Sequence, residues 1–137
     1  MMNIEKAVHE FMDSNMVILT GSGSISVGIY ENDIPDNREA TGVRLSVFNR
    51  VPDEDVPELE YCSIQFIVFA PDEGAMYTFC QNVDTLFKQL LKINLNDEVE
   101  ALYMDRLTGP SPWIGAFDTN SYAVMTFRLD ARERTSG

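Results

Sequence analysis

The residues able to do chemistry are few: one histidine, two cysteines and a surplus of carboxylates. His9 stands beside Glu10 in MNIEKAVHEFMDSN, and no second histidine exists to complete a triad or a metal site. A catalytic metal needs three convergent protein ligands, and a lone imidazole among acids on a helix suits a surface or helix-end position. None of the serines stands in G-x-S-x-G, the sharp turn that would expose a nucleophile. The stretch GSGSIS, residues 21–26, has glycines but neither the P-loop lysine nor the third glycine of a dinucleotide turn. It reads as a flexible turn between strands. DIPDN and PDEDVPE are rich in carboxylates but lack the spaced oxygens and central glycine of a calcium loop. Asp53, Glu54 and Asp55 therefore read as a solvated, projecting acidic loop. No enzyme class, cofactor or metal is expected.

Cys62 and Cys80 both lie among apolar residues. That setting predicts two buried thiols in a reducing compartment, ahead of a disulfide, because a free cysteine packs as a small hydrophobe. No CxxC spacing is present for a metal.

The elements that would position these residues belong to one domain. The chain has 137 residues, 45% of them hydrophobic, enough for a packed core. Ile4, Val8, Phe11 and Met12 fall at helical spacing, giving a short amphipathic helix over residues 3–14. MVILTGSGSISVGIYEN predicts strand, turn, strand, and NDIPDNREAT a polar connection. Val43, Leu45 and Val47 alternate with Arg44 and Ser46, the period of a half-buried strand. VPDEDVPELE, with two prolines and five acids, is a loop.

YCSIQFIVFA places Ile64, Phe66 and Val68 on one face and Ile67 and Phe69 on the other, which predicts a central strand. Pro71 and Asp72 start a helix over about residues 72–92, whose stripe is Phe79, Val83, Leu86 and Leu90. VEALYMDRL is a strand. GPSPWIG is expected to be irregular, because its prolines and glycines break a ladder. Ser121 to Leu129 alternates Tyr122, Val124, Thr126 and Arg128 against Ala123, Met125, Phe127 and Leu129, a final strand. Residues 131–137 form a polar tail. The order predicts an α+β fold over residues 1–130: a mostly antiparallel sheet with two helices packed on one face.

The formal charge of −12 argues against docking on DNA phosphates or an anionic membrane, which requires clustered positive charge. Apolar runs stop well short of the ~20 residues of a membrane span. The first fifteen residues, carrying Glu5, Glu10 and Asp13, are not expected to act as a secretory leader. What remains is surface. Trp113, Ile114 and Phe117 cluster in a turn-rich segment, either a lid over the end of the sheet or an anchor against a neighbouring subunit.

Three segments, in order, resemble one family. YCSIQFIVFAPDEGAMYTFCQNVDTLFKQL resembles the strand and long helix of the tailed-bacteriophage minor capsid, or tail completion, family. LTGPSPWIGAFDTNSYAVMTFRLD resembles its C-terminal signature, with Gly109, Pro110, Ile114, Gly115, Asp118, Asn120, Phe127 and Arg128 at the matching positions. VGIYENDIP followed by TGVRLSVF resembles its early strands, so the likeness spans about residues 4–130. Two positions depart from the pattern. Ser121 and Tyr122 stand where the family often has Gly-Arg, and Phe69-Ala70 where a basic residue commonly closes the strand.

The resemblance implies a structural role. Similar proteins are tail terminators or head–tail joining proteins, usually hexameric rings that cap the tail tube and stop its polymerisation. Such a ring also meets the head connector, and DNA passes through its lumen. For this chain the resemblance implies a homo-hexamer in the virion tail or neck, made in the host cytoplasm. Its partners would be itself, the tube protein and the connector, with no membrane. Asp53, Glu54 and Asp55 are the candidates to line a lumen from which carboxylates repel passing phosphates. A different neck component of the same fold, or a small-molecule-binding α+β domain with Trp113 and Phe117 over a pocket, are the competing readings.

Overall fold

Residues that alternate between oil and water make strands, and those at helical spacing make the cover. In a computed structural model describing residues 2–23, 25–112 and 119–134, the chain runs α1 (Ile4–Ser14), α2 (Met16–Leu19), β1 (Val27–Tyr30), β2 (Thr41–Pro52) and β3 (Leu59–Ala70). It continues as α3 (Glu73–Phe87), β4 (Leu90–Asn94), β5 (Val99–Pro112) and β6 (Ser121–Glu133). The strands form one sheet in the order β1-β2-β3-β6-β5-β4. Every pair is antiparallel except β1 with β2. The fold is mixed α+β, dominated by this sheet.

Register makes one apolar face out of three alternating sequences. Val43 pairs with Val68, and Val68 with Ala123; Leu45 pairs with Phe66, and Phe66 with Met125; Val47 pairs with Ile64, and Ile64 with Phe127. These residues join one core cluster with Ile4, Ala7, Val8 and Met12 of α1 and Met76, Phe79, Val83, Leu86 and Phe87 of α3. Each helix is started by a side chain. Asn3 Oδ1 accepts from the Lys6 N–H at 3.1 Å, and Asp72 Oδ1 accepts from the Ala75 N–H at 2.7 Å.

Phe87 is the point where the layers meet. Its ring lies 5.1 Å from Phe66, 6.1 Å from Phe127 and 5.8 Å from Phe11. One side chain at the end of α3 thus touches α1 and the two central strands.

Four sequence expectations are corrected. The apolar run MVIL is a helical turn, α2, and no strand: Thr20 Oγ1 donates to the Met16 carbonyl and Asn82 Nδ2 to that of Leu19. The long helix stops at Phe87, short of residue 92. Gln89 is left-handed, at φ 55°, and Leu90 opens the edge strand β4, which the sequence reading did not separate from the helix. The GPSP segment does not break the ladder, because β5 carries it to Pro112 through register shifts after Arg106 and Thr108. Gly109 makes this possible: its φ is 97°, and a Cβ there would lie 2.4 Å from the Val124 carbonyl oxygen. Finally β6 runs to Glu133, so residues 131–133 belong to the sheet and not to a tail.

Phe87→Ala removes the ring that joins both helices to the sheet. We expect a loss of about 3–5 kcal/mol in unfolding free energy by urea titration. A loss under about 1 kcal/mol would show that the aromatic junction does not hold the layers together.

Candidate functional site

The acidic loop is a built hairpin tip. β2 and β3 are joined by residues 53–58, which include Asp53, Glu54, Asp55 and Glu58. Asp53 Oδ1 accepts from the backbone N–H groups of Asp55 and Val56, both at 2.9 Å, and Oδ2 accepts from the Tyr61 hydroxyl at 2.7 Å. A short carboxylate bonding the backbone two residues on is the geometry that closes such turns. The Tyr61 hydroxyl, and then the two N–H groups, hold the Asp53 carboxyl below its ordinary value. The same bond raises the Tyr61 phenol. Asp53 is therefore committed to its own turn, while Glu54 and Asp55 are exposed.

The base of the hairpin is anchored by a buried ion pair. Arg50 Nε donates to Glu60 Oε2 at 2.7 Å and Nη2 to Oε1 at 3.2 Å, with the Met2 carbonyl 2.9 Å from Nη2. Only 8% of the Glu60 side chain is exposed. The hydrogen bond to Glu60, opposed by burial, raises the Arg50 guanidinium further. A forked pair of this kind fixes direction as well as distance, so the hairpin leaves the sheet at a set angle.

The second face of the sheet is the other notable surface. At one end Phe69 is buried beneath the Arg38 guanidinium, 5.2 Å from its ring centroid, with Tyr30 and Tyr122 beside it. Towards the hairpin, among the described residues, no helix covers it. There the cross-strand row Val51, Tyr61, Asp130, Tyr103, Leu91 is followed by Phe48, Ser63, Arg128, Asp105 and then by Ser46, Gln65, Thr126, Thr108. Phe48, Val51, Leu91 and Tyr103 are all exposed. Arg128 donates to both oxygens of Asp130, at 3.0 and 3.3 Å, and its guanidinium stands 5.9 Å from the Tyr103 ring centroid. The Asp130 bond raises the Arg128 guanidinium. Aromatic and arginine side chains on one open face are the composition of a protein interface.

The remaining reactive groups are quiet. His9 Nδ1 is 2.7 Å from Glu31 Oε2 and Nε2 is 3.5 Å from Asp13 Oδ2, a tie between α1 and the connection after β1. Cys62 and Cys80 are free and buried, with burial pushing their thiols up to about 12 and about 11. Such thiols are inert at neutral pH. No cluster of metal-ligating side chains occurs among the described residues. A cavity of about 320 Å³ lies between α3 and β5, lined by Tyr77, Cys80, Gln81, Asp84, Arg106 and Pro110.

Of the residues singled out in the sequence, Asp53, Glu54 and Asp55 come together at the hairpin tip. Trp113, Ile114 and Phe117 lie outside the described residues. The open face was not singled out, although the alternation in β2 and β6 already placed Arg44, Ser46, Thr126 and Arg128 opposite the core. No helix among the described residues is long and apolar enough to cross a membrane. No protein-family model matches the chain, and no curated protein matches it.

The hairpin bond has a pH signature. Asp53, held below its ordinary 3.8, stabilises the folded tip above the carboxylate range and loses that contribution as acid protonates it. Tyr61, held above its ordinary 10.0, stabilises the tip below that value and loses the contribution as alkali takes its proton. Tyr61→Phe should therefore return the Asp53 titration, followed by NMR, towards its ordinary value and speed amide exchange at Asp55 and Val56. An unmoved Asp53 titration would show that the two backbone N–H groups alone set it.

Proposed function

We propose that the protein is a structural component of a tailed-bacteriophage virion, a tail terminator or head–tail joining protein. In this reading copies assemble as a hexameric ring that caps the tail tube, stops its polymerisation and meets the head connector. The fold would be a tail-terminator-like sandwich with both helices on one face of the sheet. The protein is not an enzyme and needs no cofactor. It acts in the tail or neck after synthesis in the host cytoplasm.

The observation that carries the reading is the ordered resemblance of three segments spanning about residues 4–130. Two structural features support it. The open face with Phe48, Tyr61, Tyr103 and Arg128 has the composition of a subunit contact. The hairpin tip offers Glu54 and Asp55 on a rigid turn, where carboxylates facing a lumen repel passing DNA and let it slide. Asp53 shares that tip through its backbone position, with its carboxylate turned inward. The segment with Trp113, Ile114 and Phe117 serves as an arm against the neighbouring subunit.

A second reading, a small-molecule-binding domain, draws on the cavity beside Asp84 and Arg106. It calls for a monomer or dimer. A different neck component of the same fold would share the ring and differ only in its neighbours.

Mass in solution separates these readings. Light scattering on a size-exclusion column should give six copies of the 15.5 kDa chain, more completely at moderate than at low salt. Added salt screens the repulsion between subunits of charge −12. A dimer, or a monomer that binds small ligands in a screen, would favour the cavity reading. Trp113→Ala should weaken assembly while the subunit stays folded. Loss of about 3–5 kcal/mol of stability, the cost of a core tryptophan, before any loss of assembly would sink the arm.

A further inference from the structure

The charge of this chain is unevenly laid out. It holds 22 acids and ten bases, yet its open sheet face is not acidic. Register places Arg44, Arg128 and Arg132 on that face against Glu100, Asp105 and Asp130, and Arg38 covers Phe69 at its end. Most of these charges answer one another. Arg128 is held by Asp130, and Arg132 by Glu100.

Arg44 is different. It pairs across the ladder with Ile67 and across the parallel edge with Tyr30, so no acid stands opposite it. Its Nε is buried and has no hydrogen-bond partner. A buried guanidinium donor without an acceptor is costly, and in so acidic a chain it is unusual that no carboxylate of its own serves it. The next row, Ser46, Gln65 and Thr126, supplies uncharged hydrogen-bonding groups, and beyond it Phe48, Val51 and Tyr103 supply apolar area.

The counterpart lies elsewhere on the same molecule. The connection between β1 and β2 exposes Asp33, Asp36 and Glu39, and the end of α1 next to it exposes Asp13. The tie from His9 to Glu31 sets these two segments side by side. The sheet edges are poor alternatives for self-association. β1 has four residues, and β4 is interrupted by Lys92 at φ 52°, a lysine and a kink of the kind that discourage strand addition.

We infer that the open sheet face around Arg44 is a head-to-tail contact whose occupant is the acidic side of a second copy, formed by the end of α1 and residues 31–39. The inference rests on the ring reading, for which it names the contact between neighbours. The two surfaces differ and lie apart on one chain, so the contact is heterologous, and repeated it closes a ring or extends a filament. A carboxylate from the neighbour satisfies the Arg44 guanidinium, while Phe48, Val51 and Tyr103 lose water against it.

The test uses charge exchange in the full chain, by light scattering and sedimentation at one moderate salt concentration. Arg44→Glu should weaken self-association about thirtyfold or more. Asp33→Lys with Asp36→Lys lies wholly on the exposed connection, and it should do the same with an unchanged thermal unfolding curve. An equimolar mixture of the two variants should recover the wild-type mass, since each then offers the other one native contact and one exchanged contact. Six copies for the wild type with the same mass for both variants would overturn the contact and leave the ring standing. A wild-type chain that stays monomeric at millimolar concentration would overturn the contact too, and leave only a ring templated by the tube. A discrete two-copy species would overturn both, because a closed pair requires an isologous contact.

Discussion

The structure depends on β3 being paired on both sides. A strand hydrogen-bonded to β2 and β6 along twelve residues has no freedom to slip, because a one-residue shift would turn every apolar side chain to the wrong face. Its inward residues Ile64, Phe66 and Val68 then decide where the helices sit. α3 must cover Phe66 with Phe87, and α1 reaches the same ring through Phe11. Its outward residues divide the opposite face into two parts. Ile67 and Phe69 require cover and receive it from Arg38 and its neighbours, while Tyr61, Ser63 and Gln65 do not. An open, mixed face beside a covered one follows from the order of residues along a single strand.

Much of this was legible in the sequence, and the failures share a cause. β2, β3 and β6 announced themselves because each is half-buried over a long run, so period-two alternation is strong. The starts of α1 and α3 were legible because apolar stripes and an Asp at the cap mark them. The end of α3 was not. Leu90 continues the stripe Phe79, Val83, Leu86 because it stays half-buried beside the same core, although the chain has already turned through Gln89. A left-handed glutamine carries no local signal. α2 failed similarly: Val17 and Ile18 are exposed, so an apolar run that suggested burial holds a surface turn in place through Thr20 and Asn82. GPSP misled in the other direction. Breakers predict an end to pairing, but a sheet can absorb them as bulges where a glycine takes positive φ and the partner strand passes close.

The candidate site was legible only as composition. Asp53, Glu54 and Asp55 look alike in a string, and nothing local distinguishes the one that closes the turn from the two that face water. The distinction comes from Tyr61, eight residues on, which reaches back to Asp53 only because β2 and β3 pair. The open face is harder still, since its rows are assembled from five strands and its meaning lies in charge rather than in any motif. Arg44 is ordinary in the sequence. It becomes informative once its neighbours are known to be Ile67 and Tyr30 rather than an acid.

Charge placement also bears on when such a protein would assemble. Copies carrying −12 repel at a distance, and at physiological salt that repulsion decays over about 8 Å. The attraction between an arginine-bearing face and an acidic side acts only at contact, where desolvation strengthens it. A long-range barrier combined with a short-range attraction slows random encounters more than it weakens a finished contact. Subunits of this design remain apart while dilute and join when something holds two of them at touching distance. A tube end that presents several sites in a circle supplies that condition by raising effective concentration. In the proposed role the acidic surplus therefore does two things. It keeps the lumen from gripping DNA, and it restrains subunits from closing rings before there is a tail to cap.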